Sequence, residues 1–484
     1  MPDLDHVLAG EDVGPADLGR AHVAATTETP HLRPALHFTP RDTWMNDPNG
    51  LITHRGRHHM FFQNNPHDRV WGNLSWGHSV SDDLLGWQEL PVAIIGDEHE
   101  GIFSGSVVWD EHNTSGLVTD GEGPLVALYT SAYEGHPVHG TQQAQSLAWS
   151  EDEGMTWHKH PDNPVLSRGS RNFRDPKVFW HPPTQRWVMV AVEAAHRQLV
   201  IHTSADLVGW TLASTFGPAG APEGIWECPD LVEVPCEGEA RSRWVLLMSI
   251  GSHGPAGGSG MQWFLGDFDG YTFVAENPEQ VRWFDHGPDQ YAAVSFSGVD
   301  GPPRVMGWMS NWVYAGKSPT RPWASAMSLV RELTLDGDEL RQTPLLPPTV
   351  PAELDTNGLA RGFGAWQLRG VLPAEECLIT LSRSGPDLRT SLSVHRVQDS
   401  LIIDRAEGSI VPVHEGHESF RIPLPEGPVE FRLVEDHGLV EIFLADGLLT
   451  ACVQTFPSDA PLKVEAVGVQ VALEGLSQET RVGG

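Results

Sequence analysis

Ser81-Asp-Asp-Leu-Leu-Gly-Trp87 is the stretch that decides the fold, because variants of it recur along the chain. Ser150-Glu-Asp-Glu-Gly-Met-Thr-Trp157 and Ser204-Ala-Asp-Leu-Val-Gly-Trp210 repeat the pattern Ser-x-Asp, with a tryptophan four or five positions after the aspartate. Each copy follows a short run with strand character, which predicts the same hairpin turn in a repeated four-stranded unit. The spacing of the copies fits the blades of a β-propeller with insertions better than the shorter repeats of a solenoid.

The composition also favours an all-β chain. Its 484 residues exceed what one core usually serves, so we expect two domains. The 50 glycines, 38 prolines and 18 tryptophans favour turns, short strands and aromatic-lined pockets over helical bundles. Apolar runs with strand character, separated by turn residues, occur at residues 59–62, 125–129, 187–192, 244–248 and 305–308.

A second domain is predicted after the proline-rich stretch Thr343-Pro-Leu-Leu-Pro-Pro-Thr-Val-Pro351. Strand-like runs continue beyond it at short intervals, without the Ser-x-Asp motif, and indicate a β-sandwich. The predicted division is a leader segment at residues 1–35, a propeller at 36–342, a linker at 343–354 and the sandwich at 355–484.

Charge and cysteine content exclude several classes of partner. Acidic residues outnumber basic ones 64 to 31, and the resulting charge of −33 argues against nucleic acid, membrane surfaces and phosphorylated ligands. The four cysteines form no zinc-like spacing, so we expect free thiols, no metal site and no cofactor. No signal peptide is evident, which predicts a cytoplasmic protein if the chain is complete, or a secreted one whose signal was removed. The oligomeric state stays open.

Three further segments place a carboxylate beside a proline or a cysteine, just before a strand-like run. They are Trp44-Met-Asn-Asp-Pro-Asn-Gly50, Asn172-Phe-Arg-Asp-Pro-Lys177 and Ile225-Trp-Glu-Cys-Pro-Asp-Leu231. Alone, the first would be an Asx-turn between two strands. In a propeller, the inner strands reach the central cavity, so Asp47, Asp175 and Glu227 are expected to converge from different blades.

These segments, together with Phe103-Ser-Gly-Ser106 and in this order, resemble glycoside hydrolase family 32, the invertases, inulinases and levanases. The resemblance runs from about His37 into the C-terminal domain and implies a five-bladed β-propeller followed by a β-sandwich. It also implies a retaining attack on fructofuranosides, with Asp47 as nucleophile, Glu227 as general acid/base and Asp175 as the residue that binds fructose hydroxyls. Retention needs two carboxyl groups roughly 5 Å apart, one on each side of the anomeric carbon. Asp47 must be ionised, and its neighbouring amides are expected to favour that form.

The resemblance extends to the substrate pocket. It implies hydrogen bonds to fructose from Asn46, Gln63 and Ser104, and an apolar wall made of Trp71, Phe103 and Trp312. Arg174 would contact a fructose hydroxyl or hold Asp175, or it would form a purely structural ion pair.

The expected activity is that of a β-fructofuranosidase that releases terminal fructose from sucrose, fructo-oligosaccharides, inulin or levan. The motifs look most like the exo-inulinase and levanase branch. A fructosyltransferase and a non-catalytic carbohydrate-binding propeller are the alternatives.

Overall fold

The computed structural model describes residues 28–119, 122–354, 358–383, 390–408 and 414–477. Strands dominate these ranges, as predicted. Helical structure within them is limited to single 3-10 turns at Pro30–Leu32, Ala194–His196, Ala315–Lys317 and Ala445–Gly447.

Five antiparallel sheets form the first part of the chain, and each predicted apolar run lies in the second strand of one sheet. The side chains of these second strands are almost all buried, because a central strand of a blade packs against neighbouring blades on both faces. The strands are Thr43–His54, Arg57–Asn65, Ser75–Ser81 and Gln88–Ile94 in blade 1; Glu100–Trp109, Leu125–His136, Gly140–Ser150 and His158–Lys159 in blade 2; Phe173–His181, Arg186–Glu193, Gln198–Ser204 and Trp210–Phe216 in blade 3; Trp226–Pro235, Ser242–Ile250, Gly260–Phe268 and Phe273–Ala275 in blade 4; and Tyr291–Ser295, Arg304–Trp308, Arg331–Asp336 and Glu339–Pro344 in blade 5.

The blades close into a ring. The first strand of each blade contacts the first strand of the next, and the first strand of blade 5 contacts that of blade 1. A short strand at Trp323–Ala324, from the long insertion in blade 5, pairs in parallel with Thr43 and Trp44 at the start of blade 1. This closure confirms the five-bladed propeller, with the first strands lining its axis.

The Ser-x-Asp motif forms the predicted hairpin turn between the third and fourth strands of blades 1 to 3. In each turn the serine Oγ donates to the aspartate Oδ1: Ser81 to Asp83 at 3.2 Å, Ser150 to Asp152 at 2.8 Å and Ser204 to Asp206 at 3.0 Å. Blade 4 makes the turn without the serine, because Asp269 Oδ1 accepts the backbone N–H groups of Tyr271 and Thr272 directly. The aspartate therefore defines the turn.

The C-terminal part is a β-sandwich, as predicted. One sheet has the spatial order Thr349–Pro351, Val471–Leu476, Ala365–Leu372, Val429–Asp436, Leu439–Leu444 and Leu449–Gln454. The other has the order Glu353–Leu354, Leu359–Arg361, Leu462–Val467, Cys377–Ser382, Thr390–Val397, Ser400–Asp404 and Ser419–Pro423. Apolar side chains of both sheets share one buried core, which includes Leu368, Leu433, Ile379 and Leu401.

Strands occupy both ends of the predicted linker. Glu339–Pro344 is the outer strand of blade 5, and Thr349–Pro351 already pairs with Val471–Leu476 of the sandwich. Pro344 and Pro351 each end a strand, where a missing N–H is tolerated, and Pro347 and Pro348 lie in the short connection between the two strands. The exact domain boundaries stay a prediction.

The propeller and the sandwich share a buried polar interface. Arg331 of blade 5 is buried and its Nη2 lies 2.7 Å from Glu441 Oε2 of the sandwich. In a second pair the arginine belongs to the sandwich and the carboxylate to the propeller: Arg405 Nη1 lies 2.6 Å from Asp289 Oδ2. Of the predicted leader, residues 1–27 lie outside the described residues. The rest packs at this interface, where buried Leu32 contacts an aromatic cluster.

Candidate active site

A β-bulge interrupts the inner strand of every blade near its N-terminal end. In each bulge two inner-strand residues lie opposite one residue of the second strand. The bulged pairs are Asn46 and Asp47, Phe103 and Ser104, Asp175 and Pro176, Cys228 and Pro229, and Ala292 and Ala293. Asp175, Cys228 and Ala292 have positive φ angles of 62°, 46° and 51°. Bulges re-aim side chains, and here they collect carboxylates at one end of the central channel.

Asp47 is buried and is held at only one of its two oxygens. Ser104 Oγ donates to Asp47 Oδ2 at 2.8 Å, and the Cys228 thiol lies 3.5 Å from the same oxygen. Oδ1 is buried and accepts no hydrogen bond from any described residue. Burial raises the pKa of the Asp47 carboxyl and the nearby Glu227 raises it further, while the Ser104 hydrogen bond opposes them. The side chain of Asn46 also lowers the pKa of Asp47, as expected of a neighbouring amide, but burial outweighs it.

Asp175 is linked to Asp47 through Cys228. The Cys228 backbone N–H donates to Asp175 Oδ2 at 2.9 Å, and the thiol lies 3.8 Å from that oxygen. Burial raises the pKa of Asp175 to about 7, against the opposing effect of Arg174, whose Nε is 3.8 Å from Oδ2. Burial and the adjacent carboxylates also raise the pKa of the Cys228 thiol, so the sulfur stays a neutral donor between two acids.

Glu227 is held at both oxygens. Arg174 Nη2 donates to Oε1 at 3.1 Å, and the hydroxyl of buried Tyr291 donates to Oε2. Arg174 is itself fixed by a 3.0 Å hydrogen bond from Nη1 to Gln143 Oε1. The main carboxylate contact of Arg174 is therefore with Glu227 and not with Asp175.

The other predicted site residues surround this cluster. Asn46 shares the first bulge with Asp47, and its Oδ1 accepts a 2.8 Å hydrogen bond from Trp44 Nε1. Gln63 lies buried opposite that bulge, and its Oε1 accepts no hydrogen bond within the described chain. Trp71 is 42% exposed and meets Phe103 edge to face, with ring centroids 6.3 Å apart. Trp312 packs on Trp308, at 4.7 Å between centroids.

The sequence alone does not identify Tyr291 or Gln143 as parts of the site. Cys228 lies in the quoted segment at residues 225–231, but its residue type does not indicate that it would lie between Asp47 and Asp175. No sequence motif points to Gln143, because it lies in the third strand of blade 2 and contacts the site only through Arg174.

Comparisons with known proteins agree with this architecture. Residues 37–344 match the model of the glycosyl hydrolases family 32 N-terminal domain. The chain is 49% identical over 324 residues to a levanase of Bacillus subtilis, an alignment that covers 65% of this chain and 47% of the levanase. It is 45% identical over 332 residues to an extracellular exo-inulinase of Aspergillus niger, which covers 63% of this chain and 62% of that protein.

A solved structure matches nearly the whole fold. The crystal structure of exo-inulinase from Aspergillus awamori superposes with a TM-score of 0.84 and 34% sequence identity, and the match covers 92% of this chain and 98% of that one. The chain spans about half to two thirds of the length of the curated relatives named above. Within the described ranges, no helix is long and apolar enough to cross a membrane.

Proposed function

The chain belongs to glycosyl hydrolase family 32, and we propose that within it the protein acts as a retaining β-fructofuranosidase. Its substrates would be sucrose, fructo-oligosaccharides and fructans such as inulin or levan, from which it releases terminal fructose. The names of the levanase and exo-inulinase relatives support this class of substrate. The observation that carries the proposal is the pairing of a buried carboxylate that has one free oxygen, Asp47, with a second carboxyl, Glu227, that is held at both oxygens.

In the first step, Asp47 Oδ1 attacks the anomeric carbon of the terminal fructose. The bond to the glycosidic oxygen breaks, its electron pair stays on that oxygen, and Glu227 gives its proton there. The Ser104 hydroxyl on Oδ2 would orient the attacking carboxylate so that the unpaired oxygen faces the sugar. The product is a fructosyl ester of Asp47 and a free leaving sugar.

In the second step, a water molecule attacks the same carbon. Glu227, now ionised, takes a proton from the water, and the ester bond to Asp47 breaks to regenerate the carboxylate. Arg174 and Tyr291 would keep Glu227 in one place while it changes role between the steps. Asp175 would hold fructose hydroxyls, as an acceptor when ionised and a donor when protonated, since its pKa is about 7.

The remaining pocket residues would bind the sugar around this centre. Asn46 and Gln63 offer amide groups beside the nucleophile, and the free Oε1 of Gln63 is suited to accept a hydroxyl proton. Phe103 and Trp312 would form the apolar wall. The exposed indole of Trp71 would contact the leaving sugar at the rim of the pocket.

The test compares wild type with Asp47→Asn, Glu227→Gln and, as a matched control, Asp82→Asn in an exposed blade turn. We expect Asp47→Asn to lose activity on sucrose on the order of 10⁴-fold with an unchanged unfolding curve, since only the attacking oxygen is altered. Glu227→Gln should lose activity on sucrose but much less on an aryl fructoside whose leaving group needs no proton. Substantial activity in Asp47→Asn would remove it from the nucleophile role.

Product analysis separates the alternatives. Oligosaccharides with little free fructose at high sucrose would make the protein a transferase, because a sugar hydroxyl would then replace water in the second step. Intact sucrose after prolonged incubation would leave a carbohydrate-binding propeller. For location, the name of the extracellular Aspergillus niger relative favours the secreted alternative over the predicted cytoplasmic one. Immunoblots of culture medium and cell lysate from the native host decide between them.

A further inference from the structure

A second cavity lies at the opposite end of the propeller axis from the three carboxylates. Its volume is about 770 Å³, within the range of typical ligand pockets. All five blades line it through the C-terminal parts of their inner strands and the turns that follow, for example at Thr53, Trp109, His181, Glu233 and Ser297. The bulges that form the proposed active site are near the N-terminal ends of the same strands.

The floor of this cavity is a buried ion pair. Lys177 Nζ donates to the backbone oxygen of Ser295 at 2.5 Å and to its Oγ at 2.9 Å, and it lies 3.2 Å from Asp230 Oδ2. Lys177 follows Asp175 by two positions on the same strand, so this clamp separates the active site from the cavity. The ammonium group is fully engaged and offers no free cation to an anionic ligand.

The tryptophans around the cavity differ in whether the protein satisfies their indole N–H groups. Trp109 Nε1 donates to the Gly123 oxygen at 3.1 Å, and Trp187 Nε1 donates to a threonine hydroxyl at 2.8 Å. The indole N–H groups of Trp180 and Trp244 donate to no atom in the described part of the chain. Trp180 is also 37% exposed. Trp180 therefore offers the cavity both ring surface and a free donor, whereas the ring of Trp244 packs against Phe179 and Phe268 and offers its N–H group.

An unpaired acceptor completes the set. Glu233 lines the cavity and is exposed, and its carboxylate makes no ion pair or hydrogen bond with any described residue. It lies directly opposite Trp244 in the strand register of blade 4, so the carboxylate and the indole share one face of the sheet. Together these groups suit a polyhydroxylated ring. The carboxylate can accept hydrogen bonds from hydroxyl groups, the indole N–H groups can donate to hydroxyl oxygens, and aromatic rings can pack against C–H groups.

We propose that this cavity is a second carbohydrate site, which binds a neutral fructan chain on the face of the propeller remote from hydrolysis. The choice of fructan rests on the function proposed above, whereas the neutral polyhydroxylated character of the ligand follows from the lining. The charge of −33 and the engaged Lys177 disfavour an anion. Bound there, a polymer would be retained by the enzyme while its free ends are exchanged at the catalytic pocket.

The test is affinity gel electrophoresis in gels that contain inulin, levan or dextran. It compares the full-length Asp47→Asn protein, as the parent, with the same protein that also carries Trp180→Ala. Glu233→Gln is the second variant, because it changes one exposed atom and should not disturb folding. Tyr271→Ala is the matched control, since Tyr271 is 43% exposed but lies outside the cavity. In parallel, Trp180→Ala and Tyr271→Ala in the wild-type background are assayed on sucrose and on both fructans.

We expect Trp180→Ala and Glu233→Gln to weaken retention by inulin or levan about tenfold, as removal of a binding hot spot does. Tyr271→Ala should be retained as the parent is. Activity of Trp180→Ala on sucrose should match wild type, while its KM for the polymer rises. The proposal would be overturned if the fructan gels retained the Asp47→Asn parent and its Trp180→Ala variant equally. It would also be overturned if dextran retained the parent as strongly as inulin or levan does. A wild-type protein that leaves sucrose intact would instead overturn the proposed hydrolysis, and the retention experiment would still decide the cavity.

Discussion

Replacement of His37 by glutamine tests the polar interface between the propeller and the sandwich. The ring Nδ1 lies 2.8 Å from Asp436 Oδ2 and Nε2 lies 3.2 Å from Glu441 Oε1, and all three side chains are fully buried. Both carboxylates belong to the sandwich, whereas His37 precedes the first inner strand of the propeller. Burial alone would lower the pKa of His37, but the hydrogen bonds to the two carboxylates outweigh it and raise the pKa to about 9. A charged imidazolium therefore bridges the two domains.

The magnitude follows from linkage. Each pKa unit corresponds to about 1.4 kcal/mol, so a rise from 6.5 to about 9 contributes about 3 kcal/mol to the free energy of unfolding. Because the folded pKa is raised, this contribution is fully present below about pH 6.5 and is lost as the pH rises through about 9. His37→Gln carries no charge and should be less stable than wild type by about 3 kcal/mol near pH 6. The difference should shrink to that of the lost neutral hydrogen bonds near pH 10.

The assay is urea unfolding across this pH range, followed by circular dichroism and tryptophan fluorescence. If the two probes separate, the comparison uses the transition in which the sandwich is lost, since two-state analysis fails for uncoupled domains. His112→Gln is the control, because His112 is exposed and makes no ion pair in the described structure. A stability difference for His37→Gln that does not change between pH 6 and pH 10 would refute the charged bridge.

Two further substitutions probe the proposed active site, and a third probes the ion pair that separates it from the second cavity. Tyr291→Phe removes a donor to the proposed acid/base carboxyl, Glu227, and should lower kcat/KM about tenfold to 100-fold, measured from the pH profile of kcat/KM on sucrose. Ser104→Ala removes a contact that lowers the pKa of Asp47, so the acid limb of that profile should move to higher pH. Lys177→Met leaves Asp230 buried without its cation and should cost about 3–5 kcal/mol in the free energy of unfolding, measured by denaturant titration.

The propeller was predictable because its signals are local. Each second strand is a run of residues buried on both faces, and each Ser-x-Asp turn closes through contacts two to four residues apart. Blade 5 carries no such turn, because only Gly337 and Asp338 connect its third and fourth strands. The repeat therefore indicated a propeller, but the number of blades came only from the family resemblance.

The site was predictable as a set of carboxylates and not as a hydrogen-bond network. Asp47, Asp175 and Glu227 stand out because each lies beside a proline or a cysteine, just before a strand-like run. Their partners do not, because Tyr291 is an ordinary strand residue until blade 5 is placed beside blade 4. The same reason explains why the effect of the amides on the pKa of Asp47 was expected but the net rise was not. The neighbouring amides are visible in the sequence, whereas the burial that outweighs them depends on the closed ring.

The bulges connect the fold of the propeller to the arrangement of the site. All five inner strands bulge at equivalent places, although no residue type is common to all five bulged pairs: Asn-Asp, Phe-Ser, Asp-Pro, Cys-Pro and Ala-Ala. Proline explains two of them, since it cannot donate to the sheet ladder. The Ala292–Ala293 bulge has no such local cause, and the Ala292 N–H donates instead to Ser249 Oγ of blade 4. The same bulge recurs in five strands that have no sequence motif in common. We infer that the convergence of the five inner strands on one axis causes it. The ring then determines where the acids point, and each blade determines only which side chain occupies its bulge.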